Sequence, residues 1–209
     1  DRTGQVVDSA AGEIVNAINP DTVREVVDSF IGVQDQIPPV FSALKHKGQP
    51  LYKLARQGKR VEKPPRRIEI SDIQIKALEL PWFDIDVSCS SGTYIRSLAY
   101  DIGRKLGCGA HLAELCRTGS SHFSLDEAVD LETLSSLTRP QIEAKMTSLS
   151  QALDFLPKTV VSPDCVEMIR HGRQLGVSDI GHPPILPVSS NEKSIRLVDD
   201  SDDLLAIVK

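Results

Sequence analysis

Residues 88–117 read SCSSGTYIRSLAYDIGRKLGCGAHLAELCR and contain the densest pattern of structural signals in the chain. Just before it, Phe83, Ile85 and Val87 alternate with polar residues, which is the period-two pattern of a half-buried strand. A turn built from Ser, Gly and Thr at 90–93 leads out of this strand. The sequence therefore predicts a strand end that runs directly into the N-terminus of a helix.

The predicted helix has one apolar face and one residue that does not suit its position. The apolar residues recur with a 3.6-residue period and are Ile95, Leu98, Ala99, Ile102 and Leu106. Arg96 lies off this face in the first turn, where the helix macrodipole is positive and an acidic side chain is favoured. A local rule broken without visible compensation marks a candidate functional residue. We expect Arg96 to bind a carboxylate or a nucleic-acid phosphate; the alternative is an arginine in solvent.

The bulk properties restrict the class of protein. The 209 residues suffice for one large domain, or a large and a small one, and the net charge of −5 gives no global nucleic-acid signature. Any basic surface must therefore be local, and no apolar run reaches membrane length. The cysteines lack CxxC pairs and interleaved histidines, so we expect reduced thiols of a cytoplasmic protein; they are Cys89, Cys108, Cys116 and Cys165.

Positive charge is concentrated in residues 38–67, here called the basic insertion. Nine of the 24 Lys and Arg residues lie in it, with Glu62 as its only acid. Such a local field attracts a phosphate backbone through counterion release, although a solvated charged face has the same composition. Residues 51–56 predict a short amphipathic helix, so the basic insertion is expected to be ordered. Its basic residues are Lys45, Lys47, Lys53, Arg56, Lys59, Arg60, Lys63, Arg66 and Arg67.

The remaining patterns predict an α+β fold with a mixed, largely antiparallel sheet flanked by helices. Strands are expected at 5–7, at 68–80 with a bulge near Ser71, and at 82–89. Helices are expected at 22–30, 131–137 and 140–153. Residues 155–209 are punctuated by proline and predict a small separate β domain, with strands at 160–161, 185–188, 195–198 and 204–208.

Three motifs occur in a fixed order along the chain. They are PPVFSALK at 38–45 with LYKLARQG at 51–58, GTYIR at 92–96 with DIG at 101–103, and LGCGAHL at 106–112 followed by Leu115 and Arg117. Together they resemble the stand-alone bacterial tRNA pseudouridine synthase B family over nearly the whole chain. The first motif is similar to the family's RNA-contacting insertion.

The resemblance implies a fold, a reaction and partners. It implies a pseudouridine synthase fold, incomplete at its N-terminus, in residues 1–153, and a PUA-like β domain, which is possibly incomplete, in residues 154–209. It implies a tRNA pseudouridine-55 synthase, which isomerises a uridine in the T loop of tRNA. The T arm of tRNA is the expected partner, with no metal or organic cofactor, no membrane and no obligatory protein partner.

The resemblance also assigns roles to residues. Arg96 corresponds to the arginine that pairs with the catalytic aspartate, Tyr94 to a residue that lines the uridine pocket, and Leu115 to an apolar contact with the base. Ordinary core packing is the alternative for Leu115. The expected contacts with RNA are Lys45, Arg56 and Arg117.

The chain departs from the family pattern in one important respect. The aspartate signature Gly-x-Leu-Asp-Pro-x-Ala-x-Gly and the Lys-x-Tyr segment occur nowhere in residues 1–209, and Cys116 stands where the family usually has arginine. We therefore expect this chain to be the larger, C-terminal portion of such a synthase and to be inactive alone. The alternative is a non-catalytic tRNA-binding or chaperone module. A guide-RNA-dependent relative is ranked below both, because the insertion between Gly48 and Gly58 is typical of the stand-alone form.

Overall fold

The computed structural model describes residues 17–180 and 194–209. The strands predicted at 5–7 and 185–188 lie outside these residues. The chain divides by its internal contacts into two compact units, residues 1–122 and 123–209. The expected domain boundary between residues 153 and 154, with a PUA-like domain after it, stays a prediction. Across the described residues, no helix combines the length and apolarity needed to cross a bilayer.

The first unit is built on an antiparallel three-stranded sheet, in which β4 (Arg66–Glu79) lies between β1 (Gly32–Gln36) and β5 (Trp82–Cys89). This agrees with the α+β prediction, and the ladder shifts register between Ile70 and Asp72, where the bulge was expected. The strand β1 was not predicted, because Gly32 was interpreted only as the end of the preceding helix. The elements are α1 (Pro20–Asp28), β1 (Gly32–Gln36), β2 (Lys45–His46), β3 (Gln49–Pro50), α2 (Leu51–Arg56), β4 (Arg66–Glu79), β5 (Trp82–Cys89), α3 (Ile95–Leu106) and β6 (Gly119–Ser120).

The core of this unit lies where α1 and α3 pack on one face of the sheet. Val27, Ile70 and Ile102 are fully buried in it, one from each of these elements. Helix α1 begins with Pro20 in its first turn, and the Asn19 side chain accepts from the Asp21 amide at 2.9 Å. Burial of each such large aliphatic side chain stabilises the fold by roughly 1.5–3 kcal/mol. The core thus fixes α3 against the sheet.

Helix α3 carries the apolar face that its sequence predicts, with Leu98 only 1% exposed. The helix ends at Gly107, whose φ of 79° is left-handed. The following turn folds back onto the helix, and the Gly109 amide donates to the Gly103 carbonyl at 2.9 Å. A Cβ at Gly103 would lie 2.0 Å from the amide nitrogen of Ala110, so only glycine admits this approach.

The second unit contains a three-stranded sheet, in which β9 (Ile195–Val198) lies between β10 (Leu204–Val208) and β8 (Lys158–Val160). Strands β8 and β9 are parallel, whereas β9 and β10 are antiparallel. Its elements are β7 (Phe123–Ser124), a 3-10 turn (Leu125–Glu127), α4 (Leu131–Ser136), α5 (Arg139–Glu143), a 3-10 turn (Gln151–Leu153), β8 (Lys158–Val160), α6 (Pro163–Arg170), α7 (Val177–Ile180), β9 (Ile195–Val198) and β10 (Leu204–Val208).

Two predictions for this unit were wrong. The helix expected at 140–153 is the short α5 and a separate 3-10 turn, because Ser148 and Gln151 exchange side-chain-to-backbone hydrogen bonds at 3.1 Å and start a new turn. The tail is not purely β, since it contains α6. That helix is capped by the Ser162 side chain, which accepts from the Cys165 amide at 3.3 Å.

We expect Gly103→Ala to destabilise the first unit by about 3 kcal/mol, because the added methyl group must displace the backbone of the 107–110 turn. Helix propensity alone would predict a gain of about 1 kcal/mol. Gly107→Ala is the control, since its left-handed conformation costs about 1 kcal/mol and no atom lies within 4 Å of its Cβ position. Urea denaturation followed by circular dichroism measures both variants. A stability of Gly103→Ala at or above that of Gly107→Ala would contradict the prediction.

Candidate functional site

Polar side chains tie the first turn of α3 to the extended segment 36–41. The Arg96 guanidinium donates through Nη2 to the Phe41 carbonyl oxygen at 2.8 Å. One residue further on, the Ser97 hydroxyl donates to the Ile37 carbonyl oxygen at 2.9 Å. These bonds fix the course of segment 36–41 across the N-terminus of α3.

Gln36 adds a two-point contact to this junction. Its Nε2 donates to the Tyr94 carbonyl oxygen at 3.1 Å, and its Oε1 accepts from the Tyr94 amide at 2.8 Å. Gln36 is 4% exposed, so both bonds are shielded from water. The backbone that carries Tyr94 is therefore held from one side by the end of β1.

Arg96 lies in the first turn of α3, which contains no acidic residue, as the sequence indicated. The side chain is partly buried, and the bond to Phe41 uses one of the five N–H donors of a guanidinium. Within residues 17–180 and 194–209, no carboxylate forms an ion pair with it. The remaining donors are free to bind an anion, which is the chemistry that its position predicted.

The other two residues expected near the base lie in different motifs, Tyr94 in the second and Leu115 just after the third. Tyr94 is partly buried at the N-cap position of α3. Leu115 is 64% exposed in the coil that follows the 107–110 turn, so the alternative of core packing does not hold for it. Arg117 is exposed in the same coil, and no described hydrogen bond or ion pair joins it to Arg96. The structure thus joins Tyr94 and Arg96 through shared neighbours and leaves Leu115 and Arg117 outside that network.

Asp101 is the carboxylate of the second motif and lies in α3. Burial raises the pKa of Asp101 above its ordinary value, and the nearby Arg104 charge partly opposes this effect. Within the part of the chain that the structure describes, no ion pair joins Asp101 to Arg96. The structure gives no reason to assign the missing aspartate role to this residue.

The described residues contain no evident metal site. No group of three His, Cys, Asp or Glu side chains there is arranged to hold an ion. The four cysteines are free thiols, of which Cys165 is buried and has a pKa raised by that burial.

The basic insertion is ordered around a short helix, as expected. Helix α2 buries Leu51 and Leu54, and its first amides, on Leu51 and Tyr52, donate to the carbonyl oxygens of Leu44 and Ser42 at 2.7 and 3.0 Å. The Arg56 guanidinium lies 5.8 Å from the centre of the Tyr52 ring. This contact leaves the exposed Arg56 at the end of α2 in a defined orientation.

Part of the basic insertion forms an open groove of about 360 Å³. Lys45, Lys63 and Arg66 line it together with Leu44 and two prolines at 64–65. None of the three cations forms a salt bridge within the part of the chain that the structure describes. The groove combines unpaired positive charge with a stiff proline wall, which suits a phosphate backbone.

Sequence reasoning did not find Gln36, Ser97 or the groove partners of Lys45. For Gln36 a signal exists, since Gly32, Gln34 and Gln36 share the inward side of β1. A polar residue on an inward position needs a hydrogen-bond partner. For the groove there is no local signal, because the course of the loop brings its residues together.

Comparison with solved structures finds the same fold. A chain in the crystal structure of a Cbf5-Nop10-Gar1 complex superposes with a TM-score of 0.69 at 26% identity, covering 92% of this chain and 55% of that chain. A chain of the archaeal box H/ACA sRNP Nop10-Cbf5 complex gives a TM-score of 0.65 at 25% identity, with the same coverage.

Curated relatives agree with these structures. The tRNA pseudouridine synthase B of Geobacter sulfurreducens is 44% identical over 183 residues, which are 87% of this chain and 59% of the relative. That of Nitrosococcus oceani is 37% identical over 202 residues, or 95% of this chain and 62% of the relative. The chain therefore spans about three fifths of the length of these relatives.

Two family models confirm the resemblance seen in the motifs. Residues 1–95 match the TruB family pseudouridylate synthase (N terminal domain), and residues 96–156 match the tRNA pseudouridylate synthase B C-terminal domain. The junction between the two matches falls between Ile95 and Arg96, inside the site described above. Since these adjoining matches run through 156 of the 209 residues, the chain belongs to the TruB family of pseudouridine synthases.

Proposed function

We propose that the protein converts a uridine in the T loop of tRNA into pseudouridine, and that residues 1–209 supply Arg96 and contacts with the base and the RNA backbone, but neither the nucleophilic aspartate nor the Lys-x-Tyr segment. The observation that carries the proposal is the Arg96 guanidinium. It is anchored by one N–H, partly buried, and without a carboxylate partner in the described residues. Relatives that are 44% and 43% identical to this chain carry the name tRNA pseudouridine synthase B.

The reaction needs a nucleophile that attacks either C1′ of the ribose or a carbon of the base. The bond from C1′ to N1 breaks and a bond from C1′ to C5 forms; the hydrogen on C5 leaves to water, and N1 takes up a proton from water, so that the product is an isomer of the substrate. Arg96 keeps the partner aspartate ionised, because a cation at hydrogen-bond distance lowers a carboxyl pKa. Its planar fork also orients the carboxylate towards the flipped nucleotide.

The uridine must leave the base stack to reach this carboxylate. Extrusion of a loop nucleotide costs on the order of a few kcal/mol. Tyr94 and the exposed Leu115 offer an aromatic and an apolar contact for the base, which offset part of this cost. The exposure of Leu115 supports this role, since a buried side chain would not be available to a substrate.

The tRNA backbone is bound by the basic insertion. Lys45 lies in the groove with two further cations, and Arg56 is oriented by its contact with Tyr52. Arg117 adds an exposed charge in the coil that follows α3. We assign residues 1–153 to the catalytic part and residues 154–209 to a PUA-like domain that holds RNA. The protein acts in the cytoplasm on the T arm, without a metal, cofactor or obligatory protein partner.

Tritium release from tRNA labelled at uridine C5 tests the proposed function, because the reaction exchanges that hydrogen with water. We expect no release by residues 1–209 alone, which lack the aspartate signature. We expect release by a fusion that places the preceding segment of the Geobacter sulfurreducens relative before Asp1. The same fusion with the signature Asp changed to Asn is the control and is expected to be inactive.

Two results would contradict this proposal in different ways. Release by residues 1–209 alone would place the nucleophile inside this chain. Tight tRNA binding by the fusion without any release would instead favour a non-catalytic tRNA-binding module.

In the active fusion, we expect Arg96→Ala to lower kcat by roughly 10²-fold or more while tRNA binding changes little, because its partner is a catalytic group. Arg104→Ala is the matched control, since Arg104 is exposed on the same helix, where it interacts with the Tyr100 ring at 5.9 Å and with the charge of Asp101, and has no proposed role in the reaction. Single-turnover rates and filter binding measure the two effects. A loss of binding as large as the loss of rate would make Arg96 a phosphate clamp.

For the basic insertion, we expect Lys45→Ala or Arg56→Ala to reduce the slope of log K against log salt by about 0.7–0.9 each, because each removes one phosphate contact. Lys76→Ala is the control, since its ammonium group is already paired with Asp86 at 3.1 Å. Binding of a T-arm RNA titrated at several salt concentrations gives the slopes. An unchanged slope in both variants would assign these residues to a solvated surface.

A further inference from the structure

We propose that Gln36 is a positioning residue for the reaction, because its side chain holds the backbone of Tyr94 and thereby sets the direction of Tyr94 and Arg96. The inference rests on the proposed function, which gives these two residues their roles. It concerns a residue at the end of β1 that lies outside the three sequence motifs.

The first step of the argument is the missing cap of α3. A helix N-terminus leaves several amides without partners, and a Ser, Thr, Asp or Asn at the N-cap normally satisfies one of them. The N-cap of α3 is Tyr94, which makes no side-chain capping bond. Its carbonyl accepts from the Leu98 amide at 3.0 Å, but its own amide has only the Gln36 oxygen as acceptor.

The second step is the geometry of the contact. Gln36 donates to the Tyr94 carbonyl and accepts from the Tyr94 amide, so its planar amide pairs with both polar groups of one residue. This reproduces the pairing between neighbouring strands of a sheet. A single hydrogen bond would allow the backbone to pivot, whereas two bonds on either side of the same Cα restrict its rotation. That restriction fixes the Cα–Cβ direction from which the Tyr94 ring extends.

The third step is the frame that holds Gln36 itself. Its backbone lies in the β1–β4 ladder opposite Arg66, and its side chain is 4% exposed. A buried amide that loses a partner leaves an unsatisfied polar group, so the contact is maintained by its surroundings. The clamp therefore transmits the position of a rigid sheet to the first turn of α3.

The fourth step links the clamp to Arg96. Arg96 and Ser97 bond to the carbonyls of Phe41 and Ile37, which lie five residues and one residue after Gln36 in the chain. Segment 36–41 thus contacts three of the four positions from Tyr94 to Ser97 at the helix start. If the two Gln36 bonds are lost, segment 36–41 and the start of α3 can shift against each other. A displacement of about 1 Å at reacting groups is enough to cost on the order of 10²-fold in rate.

The test uses the active fusion and the variant Gln36→Leu. We expect kcat to fall by roughly 10- to 100-fold while the KM for tRNA stays within about two-fold, because the basic insertion that binds the backbone is unchanged. The matched control is Gln34→Leu, since Gln34 lies on the same strand and donates to the Phe30 carbonyl at 2.5 Å, at the end of α1 rather than at α3. This control is expected to keep both constants.

A second variant separates positioning from packing. Gln36→Glu has the same size and keeps the acceptor for the Tyr94 amide, but it sets a carboxylate oxygen against the Tyr94 carbonyl. We expect the same loss of kcat as in Gln36→Leu. Wild-type kcat in both variants, or a fall that is matched by a rise in KM, would overturn the proposal.

Amide hydrogen exchange of Tyr94 gives a readout that does not depend on activity. Measured by NMR on the same proteins, it should be slow in the wild type and in Gln34→Leu, and faster in Gln36→Leu. Equal exchange in all three would show that the clamp does not hold Tyr94. If the wild-type fusion makes no pseudouridine, the proposed function fails, and the exchange rates still decide whether the clamp exists.

Discussion

The first unit depends on a helix that does not cap itself. Helix α3 begins at Ile95 behind a tyrosine, and the partners for its first turn come from segment 36–41. Those bonds join residues 55 to 60 positions apart, so the helix start is complete only when β1 has docked on β4. The consequence is that a tertiary contact, rather than local sequence, determines where Tyr94 and Arg96 lie.

The core supplies the rigid frame on which this contact rests. Val27, Ile70 and Ile102 are fully buried, and they join α1, β4 and α3 into one body. At the far end of α3, Gly103 lets the 107–110 turn lie on the helix backbone, which fixes the start of the coil that leads to Leu115. A helix of twelve residues thus lies between Arg96 in its first turn and the turn that leads to Leu115. These are two of the residues for which we propose roles in the reaction.

The parts of this structure that could be predicted are those with a local cause. The strands β4 and β5, the bulge after Ile70 and the apolar face of α3 all follow from side-chain period, and Arg96 was identified because it violates the dipole rule. The clamp by Gln36 and the groove around Lys63 depend on contacts between distant residues, which no local pattern encodes. The helix expected at 140–153 failed for a third reason, since Ser148 satisfies backbone amides that a longer helix would need.

The two cationic features of the first unit are suited to different tasks. The lysines and arginines of the basic insertion are mostly exposed, and water and salt screen them, so they suit an affinity for a phosphate backbone that is spread over many weak contacts. Arg96 is partly buried and is fixed at one end by the Phe41 carbonyl, so its remaining donors keep one plane. A fixed plane suits a single carboxylate better than a moving phosphate chain. The Phe41 carbonyl that holds this plane belongs to the start of the basic insertion, and Gln36 and Ile37, which precede it, hold Tyr94 and Ser97. In the proposed function, binding of the RNA backbone and orientation of the carboxylate therefore depend on the same stretch of chain, although they use different charges.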